Sequence, residues 1–335
     1  IARGLKAPVF QYRVRATDEI LAFDLSELAD FLAYPYRLQC EQYKLTEDLT
    51  NHLMEQDHCD LRFRRRVVHF EQNDRRVLVH AEAPYDLEFY EAAFLIAADG
   101  ANSIIRKWLG VDFDGFTYPE KFLTMSTLEP LEQYFRDLSY VNYISDPDEW
   151  LVLLRAPSAW RVLISAPDAV PDSTLTSEDS KIGLFDRLIG RGRAVKTVHR
   201  TVYRVHQRVA KRYHHGRVML AGDAAHLNNP LGGLGMNSGI HDIWNLCPRL
   251  ERIVRGGGDA ETELAQYDRQ RRQTMISFIQ SQTIRNKQMM EASNEAAQRQ
   301  HQDEMRAIHA DPERRRAFML QQSMVQSLED ERKIA

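Results

Sequence analysis

Residues 217–237 constrain the fold of this 335-residue chain more than any other stretch, reading Arg-Val-Met-Leu-Ala-Gly-Asp-Ala-Ala-His, then Leu-Asn-Asn, then Pro-Leu-Gly-Gly-Leu-Gly-Met-Asn. The apolar run 218–221 has the pattern of a short strand buried on both faces. Gly222 lets the chain turn out of the sheet. Asp223 follows at the strand's C-terminal end, where open α/β sheets place their ligand groups. An ionised aspartate only accepts hydrogen bonds, so a pair of sugar hydroxyls suits it. Pro230 stiffens the next turn, and Gly232, Gly233 and Gly235 allow backbone to approach a flat ligand without Cβ clashes. From about Met236, residues Ile240, Ile243, Trp244 and Leu246 fall at helical spacing. The free N–H groups of that helix's first turn favour negative charge in the glycine loop. The whole run reads as a cradle for a nucleotide-type cofactor. Gly233-x-Gly235-x-x-Ser238 half-matches a dinucleotide fingerprint, but it does not directly follow a strand.

A second apolar run, residues 92–98, ends in Asp99-Gly100-Ala101-Asn102-Ser103, with Arg106 one helical turn on. A strand that ends in a carboxylate and a glycine turn, followed by a helix capped by Ser103 or Asn102, explains those residue types. Arg106 is spaced to pair with Asp99 or to meet a phosphate. A third feature is Gln42-x-x-Leu45-x-x-x-Leu49, whose leucines suit one face of a helix.

Taken in this order and spacing, the three segments resemble the flavin motifs of the group A flavoprotein monooxygenases, the aromatic hydroxylases related to p-hydroxybenzoate hydroxylase. The resemblance implies that Asp223 binds the ribityl chain of FAD. It implies that the loop from Pro230 through Gly233, Leu234 and Gly235, with Met236 and Asn237, holds the isoalloxazine. It implies that Asp99, Gly100 and Ser103 serve FAD and the reducing nicotinamide, and that Gln42 reaches the flavin. The activity implied is hydroxylation of an aromatic, phenolic substrate using FAD, O2 and NADH or NADPH. Two rivals remain. A flavin-dependent halogenase would carry a Trp-x-Trp-x-Ile-Pro signature and a catalytic lysine, and Trp150-Leu-Val-Leu-Leu does not match it. A truncated, non-catalytic member of the fold is the other.

That family opens with a strand, a Gly-x-Gly-x-x-Gly turn and a helix within about 30 residues. This sequence contains no such unit: it opens at Ile1, and residues 11–15 and 20–23 already read as later strands. The expectation is that it is a piece of a longer protein, which puts the FAD affinity of these residues by themselves in question.

The fold class expected is α/β: a Rossmann-like FAD-binding domain with an inserted antiparallel-sheet substrate domain and C-terminal helices. The FAD domain is expected over residues 1–110 and 210–258, the substrate sheet over 111–209 and a helical segment over 259–335. A helix is expected over 36–57, with strands near 61–71, 76–82, 122–128, 141–144, 150–156 and 160–165. Leu264, Tyr267, Arg271, Met275 and Phe278 form a helical stripe, and the charged last thirty residues are expected to fray.

A formal net charge of -4 shows no nucleic-acid surface, and no apolar stretch reaches the length of a membrane span. Cys40, Cys59 and Cys247 lack the spacing of a zinc site or a disulfide framework. A cytoplasmic enzyme, monomer or homodimer, with a small aromatic substrate and without metal, nucleic-acid or membrane partners is the expectation. Its catalytic residues are not identified. His199, Tyr203, His206 and Tyr143 are candidates to assist phenol ionisation, Arg155 and Arg161 to meet an acidic substrate, and His226 to support the Asp223 loop rather than to catalyse.

Overall fold

The computed structural model describes residues 2–146, 149–290 and 295–335. Contacts divide the chain into two compact units, Ile1–Cys59 with Tyr118–Val205 and Asn286–Ser323, and Asp60–Thr117 with His206–Arg285 and Met324–Ala335. The long strands Phe113–Thr127 and Thr197–Ala210 carry the chain from one unit into the other.

The first unit is built on a sheet in the order Thr197–Ala210, Phe113–Thr127, Trp160–Pro167, Leu151–Arg155, Val141–Ser145, Val9–Val14, Glu19–Asp24. Period-two alternation decides its two faces. Register sets Leu151 opposite Ile164 and Leu153 opposite Val162, and these in turn face Leu123 and Met125. That row packs under the helix Glu178–Ile189 through Leu184, Phe185 and Ile189. The other face carries Tyr12, Tyr143, Val152, Leu163 and Thr124 in one row across four ladders. At its edge the rings of Phe10 and Phe23 stack 5.0 Å apart, and Phe318 of the helix Pro312–Gln322 packs against both.

Two departures from expectation stand out here. The sheet is not purely antiparallel: Val9–Val14 and Val141–Ser145 pair in parallel, which the long excursion between them permits. Residues 37–39, expected to be helical, instead form a strand antiparallel to Leu5–Ala7. Pro35 is tolerated only in the first turn of a helix, and the ladder with Leu5–Ala7 satisfies the backbone that follows it. The helix itself runs Gln42–Met54 and buries none of its residues, so Leu45 and Leu49 are exposed.

The second unit contains the antiparallel sheet Arg66–Gln72, Val77–Glu82, Leu87–Ala92, and a smaller sheet in which Val218–Leu220 lies between His214–His215 and Leu95–Ala97. Val218–Leu220 and Leu95–Ala97 run parallel, Leu220 opposite Ala97. Val218, Met219 and Leu220 are fully buried, as an apolar run covered on both faces should be. The outer edge of Leu95–Ala97 pairs with no strand among the described residues. The helices Leu234–Val254 and Ala260–Thr274 pack against this core, with Leu246, Leu264, Tyr267 and Met275 at 0% exposure. Residues 312–322 and 325–333 are helical and anchored by Phe318, Met319 and Glu331, so they do not fray as their charge suggested.

Glu41 ties down the start of the Gln42 helix within the first unit. Its Oε1 accepts from the Ser158 N–H at 3.0 Å and from the Ser158 hydroxyl, and Lys44 Nζ lies 2.7 Å from Oε2. Burial raises its pKa, but Lys44 and Ser158 outweigh that and hold the carboxyl at about 2. A depressed carboxyl stabilises the folded state above its unfolded pKa, near 4.5, and the contribution fades as pH falls through about 2. Glu41→Gln is expected to cost about 1–3 kcal/mol at neutral pH. Urea midpoints of variant and parent should converge between pH 4.5 and 2, and a pH-independent difference would contradict the assignment.

Candidate cofactor site

The site is assembled in the second unit from the ends of two neighbouring parallel strands. Ala221 N–H donates to Ala97 C=O at 3.0 Å, so the turns carrying Asp99 and Asp223 leave the sheet side by side. Each turn is then braced differently.

Asp99 Oδ2 accepts from the N–H groups of Ile104 (2.9 Å) and Ile105 (3.3 Å), and Ser103 Oγ accepts from Arg106 N–H at 3.0 Å. Both side chains therefore cap the short helix Ile104–Trp108, and Ser103 is wholly buried in doing so. Arg106 neither ion-pairs with Asp99 nor lies open to a phosphate. Its guanidinium is buried, donates to Ala101 C=O (2.8 Å) and Ala224 C=O (2.7 Å), and stacks on Phe113 at 3.8 Å. Burial lowers its pKa against the pull of Asp99. It stitches the two turns together.

The Asp223 turn is held from beneath by a buried carboxylate. Asp242, on the helix Leu234–Val254, is fully buried. Its Oδ2 accepts from Gly222 N–H (2.9 Å) and lies 2.7 Å from His226 Nε2, while Oδ1 accepts from Arg271 Nε at 2.8 Å. Arg271 also donates to Glu331 and to Ser238 C=O. Burial alone would raise the Asp242 pKa, but His226 and Arg271 reverse that and hold it below the usual carboxylate range. Burial opposes the Arg271 charge too, and Asp242 and Glu331 together raise its pKa further. His226 is a bracing residue, as its place in the motif suggested. Tyr267 adds a hydroxyl donated to Leu220 C=O at 2.7 Å, and burial pushes its pKa up so that the proton stays. Helix and turn meet at Gly222 and Gly239, where a Cβ on Gly239 would come within 3.1 Å of Gly222 Cα.

The glycine loop is fastened by amides. Asn229 N–H donates to Gln207 Oε1, Asn229 Nδ2 to Thr283 C=O, and Gln207 Nε2 to Thr283 Oγ1 at 2.9 Å. Asn229 Oδ1 accepts from Leu231 N–H, which sets the turn at Pro230. The helix begins at Leu234, two residues before the expected start, with Gly233 at φ 71° as its N-cap and no side-chain cap bond. Leu234 is buried in the core, so only its backbone faces the turn, whereas Met236 and Asn237 are exposed.

These residues fit the group that the motifs imply. The Asp223 carboxylate is exposed and takes no hydrogen bond from the described residues. The uncapped helix start offers N–H donors, and a Cβ at Gly233 would meet nothing within 4 Å. One free acceptor and one set of free donors, on rigidly braced backbone, suit a ligand carrying both hydroxyls and a partly anionic ring.

The remaining candidates are dispersed. Gln42 is the exposed first residue of its helix in the first unit. His199 is exposed, and His206 Nδ1 lies 2.8 Å from Thr117 Oγ1. Tyr203 packs on Phe122, and burial pushes its hydroxyl up to about 12. Arg155 donates to Ala156 C=O and lies over Trp160, on the face opposite Tyr143, while Arg161 is exposed on the Tyr143 face. The sequence reading missed Asp242, Arg271 as a charge partner, and Glu331. The available signal was the row Leu234, Ser238, Asp242, Leu246, which places a carboxylate among core positions of one helix face.

Comparison with known proteins places the chain among the flavin-binding oxidoreductases. The family described as an FAD binding domain matches residues 2–282, and the chain belongs to it. Para-nitrophenol 4-monooxygenase from Pseudomonas sp. (strain WBC-3) is 30% identical over 300 residues, 88% of this chain and 73% of that protein. The 6-hydroxy-3-succinoylpyridine 3-monooxygenase of Pseudomonas putida (strain DSM 28022 / S16) is 30% identical, over 83% of this chain and 70% of the relative. The crystal structure of p-nitrophenol 4-monooxygenase from Pseudomonas putida DLL-E4 superposes with a TM-score of 0.89 at 27% identity, covering 95% of this chain and 81% of that one. The protein is an FAD-dependent aromatic monooxygenase.

Removing the Asp242 carboxylate strands buried Arg271. Asp242→Leu is expected to destabilise the protein by about 3–5 kcal/mol in chemical denaturation, and Arg271→Met by a similar amount. A double variant that loses no more than either single one would identify them as one unit. Additive losses would show that they act separately.

Proposed function

We propose that the chain hydroxylates a small, single-ring phenolic substrate, with FAD held at the Asp223 turn and NADH or NADPH as reductant. The balance is one aromatic C–H, O2, reduced nicotinamide and a proton giving the aromatic hydroxyl, water and oxidised nicotinamide. The observation that carries the reading is the exposed Asp223 carboxylate beside an uncapped helix start. When bound, FAD supplies the electron storage and oxygen activation that no side chain offers.

The residues divide the binding as follows. Asp223 accepts from the ribityl hydroxyls. The backbone from Pro230 to Asn237 lies along the ring system, and the helix start opposite Gly233 stabilises negative charge there. Asp99, already bonded through Oδ2, keeps Oδ1 for the dinucleotide, with Gly100 leaving room beside it. Ser103 acts only through the helix it caps. The names of the two relatives support the substrate class, since nitrophenol and hydroxypyridine are both single rings bearing a hydroxyl.

Asp223→Ala separates binding from stability. Its exposed carboxylate braces nothing, so unfolding free energy should move by less than about 0.5 kcal/mol. FAD affinity, read from flavin fluorescence, should fall about tenfold or more. Unchanged affinity would remove Asp223 from the site. With FAD restored, oxidation of NADH or NADPH should be stimulated by 4-nitrophenol or 4-hydroxybenzoate, and a hydroxylated product should appear by mass spectrometry. Flavin binding without any such product would defeat the substrate assignment.

A further inference from the structure

The helix that begins at Ala260 changes its winding partway along. Ala260–Thr274 and Ser281–Met290 are α-helical, but Met275–Gln280 between them is wound as a π-helix. Such segments are rare and are found frequently at functional sites. A π turn takes up one extra residue, so each side chain beyond it is turned by about 100° from its place on an unbroken α-helix. Tyr267, Arg271 and Met275 form the buried row before the turn. An unbroken helix would continue that row through residues 278 and 282. The extra residue moves it to Ile279 and Thr283, both fully buried.

Thr283 is where the glycine loop is tied to this helix. Its hydroxyl donates back to Ile279 C=O at 2.9 Å, which leaves the oxygen's lone pairs for an incoming donor. Gln207 Nε2 fills that role at 2.9 Å. Gln207 is fixed in direction as well, because its Oε1 must face Asn229 N–H, at 3.1 Å. Thr283 C=O accepts from Asn229 Nδ2 in addition, and all three side chains are fully buried. Behind Gln207, the neighbouring strand carries Gly115 at φ 140°, where any Cβ would collide with Gln207 C=O. From Asn229 the constraint passes into the loop. Asn229 Oδ1 accepts from Leu231 N–H, Gly233 N–H donates to Pro230 C=O at 3.0 Å, and the uncapped helix Leu234–Val254 begins with the next residue. The aim of that helix's open N–H groups is therefore set from Thr283.

Reduction of an isoalloxazine adds two electrons and one proton and leaves one negative charge on the ring, which such N–H groups stabilise. We propose that Thr283 is a positioning residue for the redox balance of the bound flavin. Through Gln207 and Asn229 it holds the Pro230 loop where the helix start favours the reduced ring over the oxidised one. The proposal rests on the reading above that FAD lies along the backbone from Pro230 to Asn237. Thr283 touches neither ring nor substrate and acts only through the loop.

Thr283→Val removes the hydroxyl and keeps the shape, so a buried Gln207 N–H loses its acceptor. Amide hydrogen exchange on the flavin-free protein reads the loop directly. The N–H groups of Asn229, Leu231 and Gly233 should exchange at least about tenfold faster than in the parent. Those of Ala221 and Gly222, held by Ala97 and Asp242, should keep the parent's rates. Thr283→Ser retains the acceptor and should restore slow exchange. In the protein loaded with FAD, a reductive titration followed by visible absorbance gives the flavin midpoint. Thr283→Val should weaken binding of the reduced ring roughly three- to tenfold more than that of the oxidised ring, lowering the midpoint by about 15–30 mV for a two-electron couple. Gln207→Met breaks the same chain at its middle and should produce both effects, with no further shift when combined with Thr283→Val.

Loop amides as protected in Thr283→Val as in the parent would overturn the proposal, and so would a midpoint that stays put once the loop is loosened. A serine variant that behaves like the valine one, or faster exchange at Ala221 and Gly222 as well, would make Thr283 a packing residue and count equally against it. Should the parent take up no flavin, the reading of the site falls. Should it bind flavin with loop and midpoint indifferent to Thr283, the positioning role alone falls.

Discussion

Burying Asp242 is the constraint on which the candidate cofactor site depends. Its carboxylate is removed from water, and it is tolerated because three donors from three parts of the chain meet it at once. Gly222 N–H belongs to the turn, His226 to the segment after it, and Arg271 to the next helix. An exposed salt bridge of the same length would contribute little and would orient nothing. In the interior, the cost of leaving any one donor unpaired fixes all of them in a single arrangement. The Asp223 turn is thereby rigid without Asp223 itself taking part.

That division of labour recurs around the site. Groups that hold the backbone are committed to it: Asp99 Oδ2 and Ser103 cap a helix, Arg106 bridges two carbonyls, and Asn229 and Gln207 bond to Thr283. At the two turns themselves, the Asp223 carboxylate and the start of the helix Leu234–Val254 remain open.

Much of this could be read from residue order, and the reasons are local. Short apolar runs ending in Gly-Asp and Asp-Gly announce buried strands with a carboxylate at the exit, and both strands are found, paired with each other. The stripe Leu264, Tyr267, Arg271, Met275 was visible because helical periodicity operates within one element. What escaped notice depends on distance along the chain. Asp242 lies 29 residues from Arg271, and Arg271 lies 60 from Glu331, so nothing local says that their charges are internal. Glu331 sits in a stretch that composition alone assigns to a solvated tail. Arg37 sits where a helix was expected. There a ladder with Leu5–Ala7 overrode the propensity of a short segment, and only the folded structure brings Arg37 to Tyr143.

The remoteness of Glu331 has a consequence for biogenesis. Translation delivers Asp242 and Arg271 to the folding chain before Glu331, the second carboxylate on the same guanidinium. Without the helix Val325–Lys333 in place the buried guanidinium would lack its second carboxylate, so an acidic side chain about a hundred residues away in the chain helps hold the turn that carries Asp223.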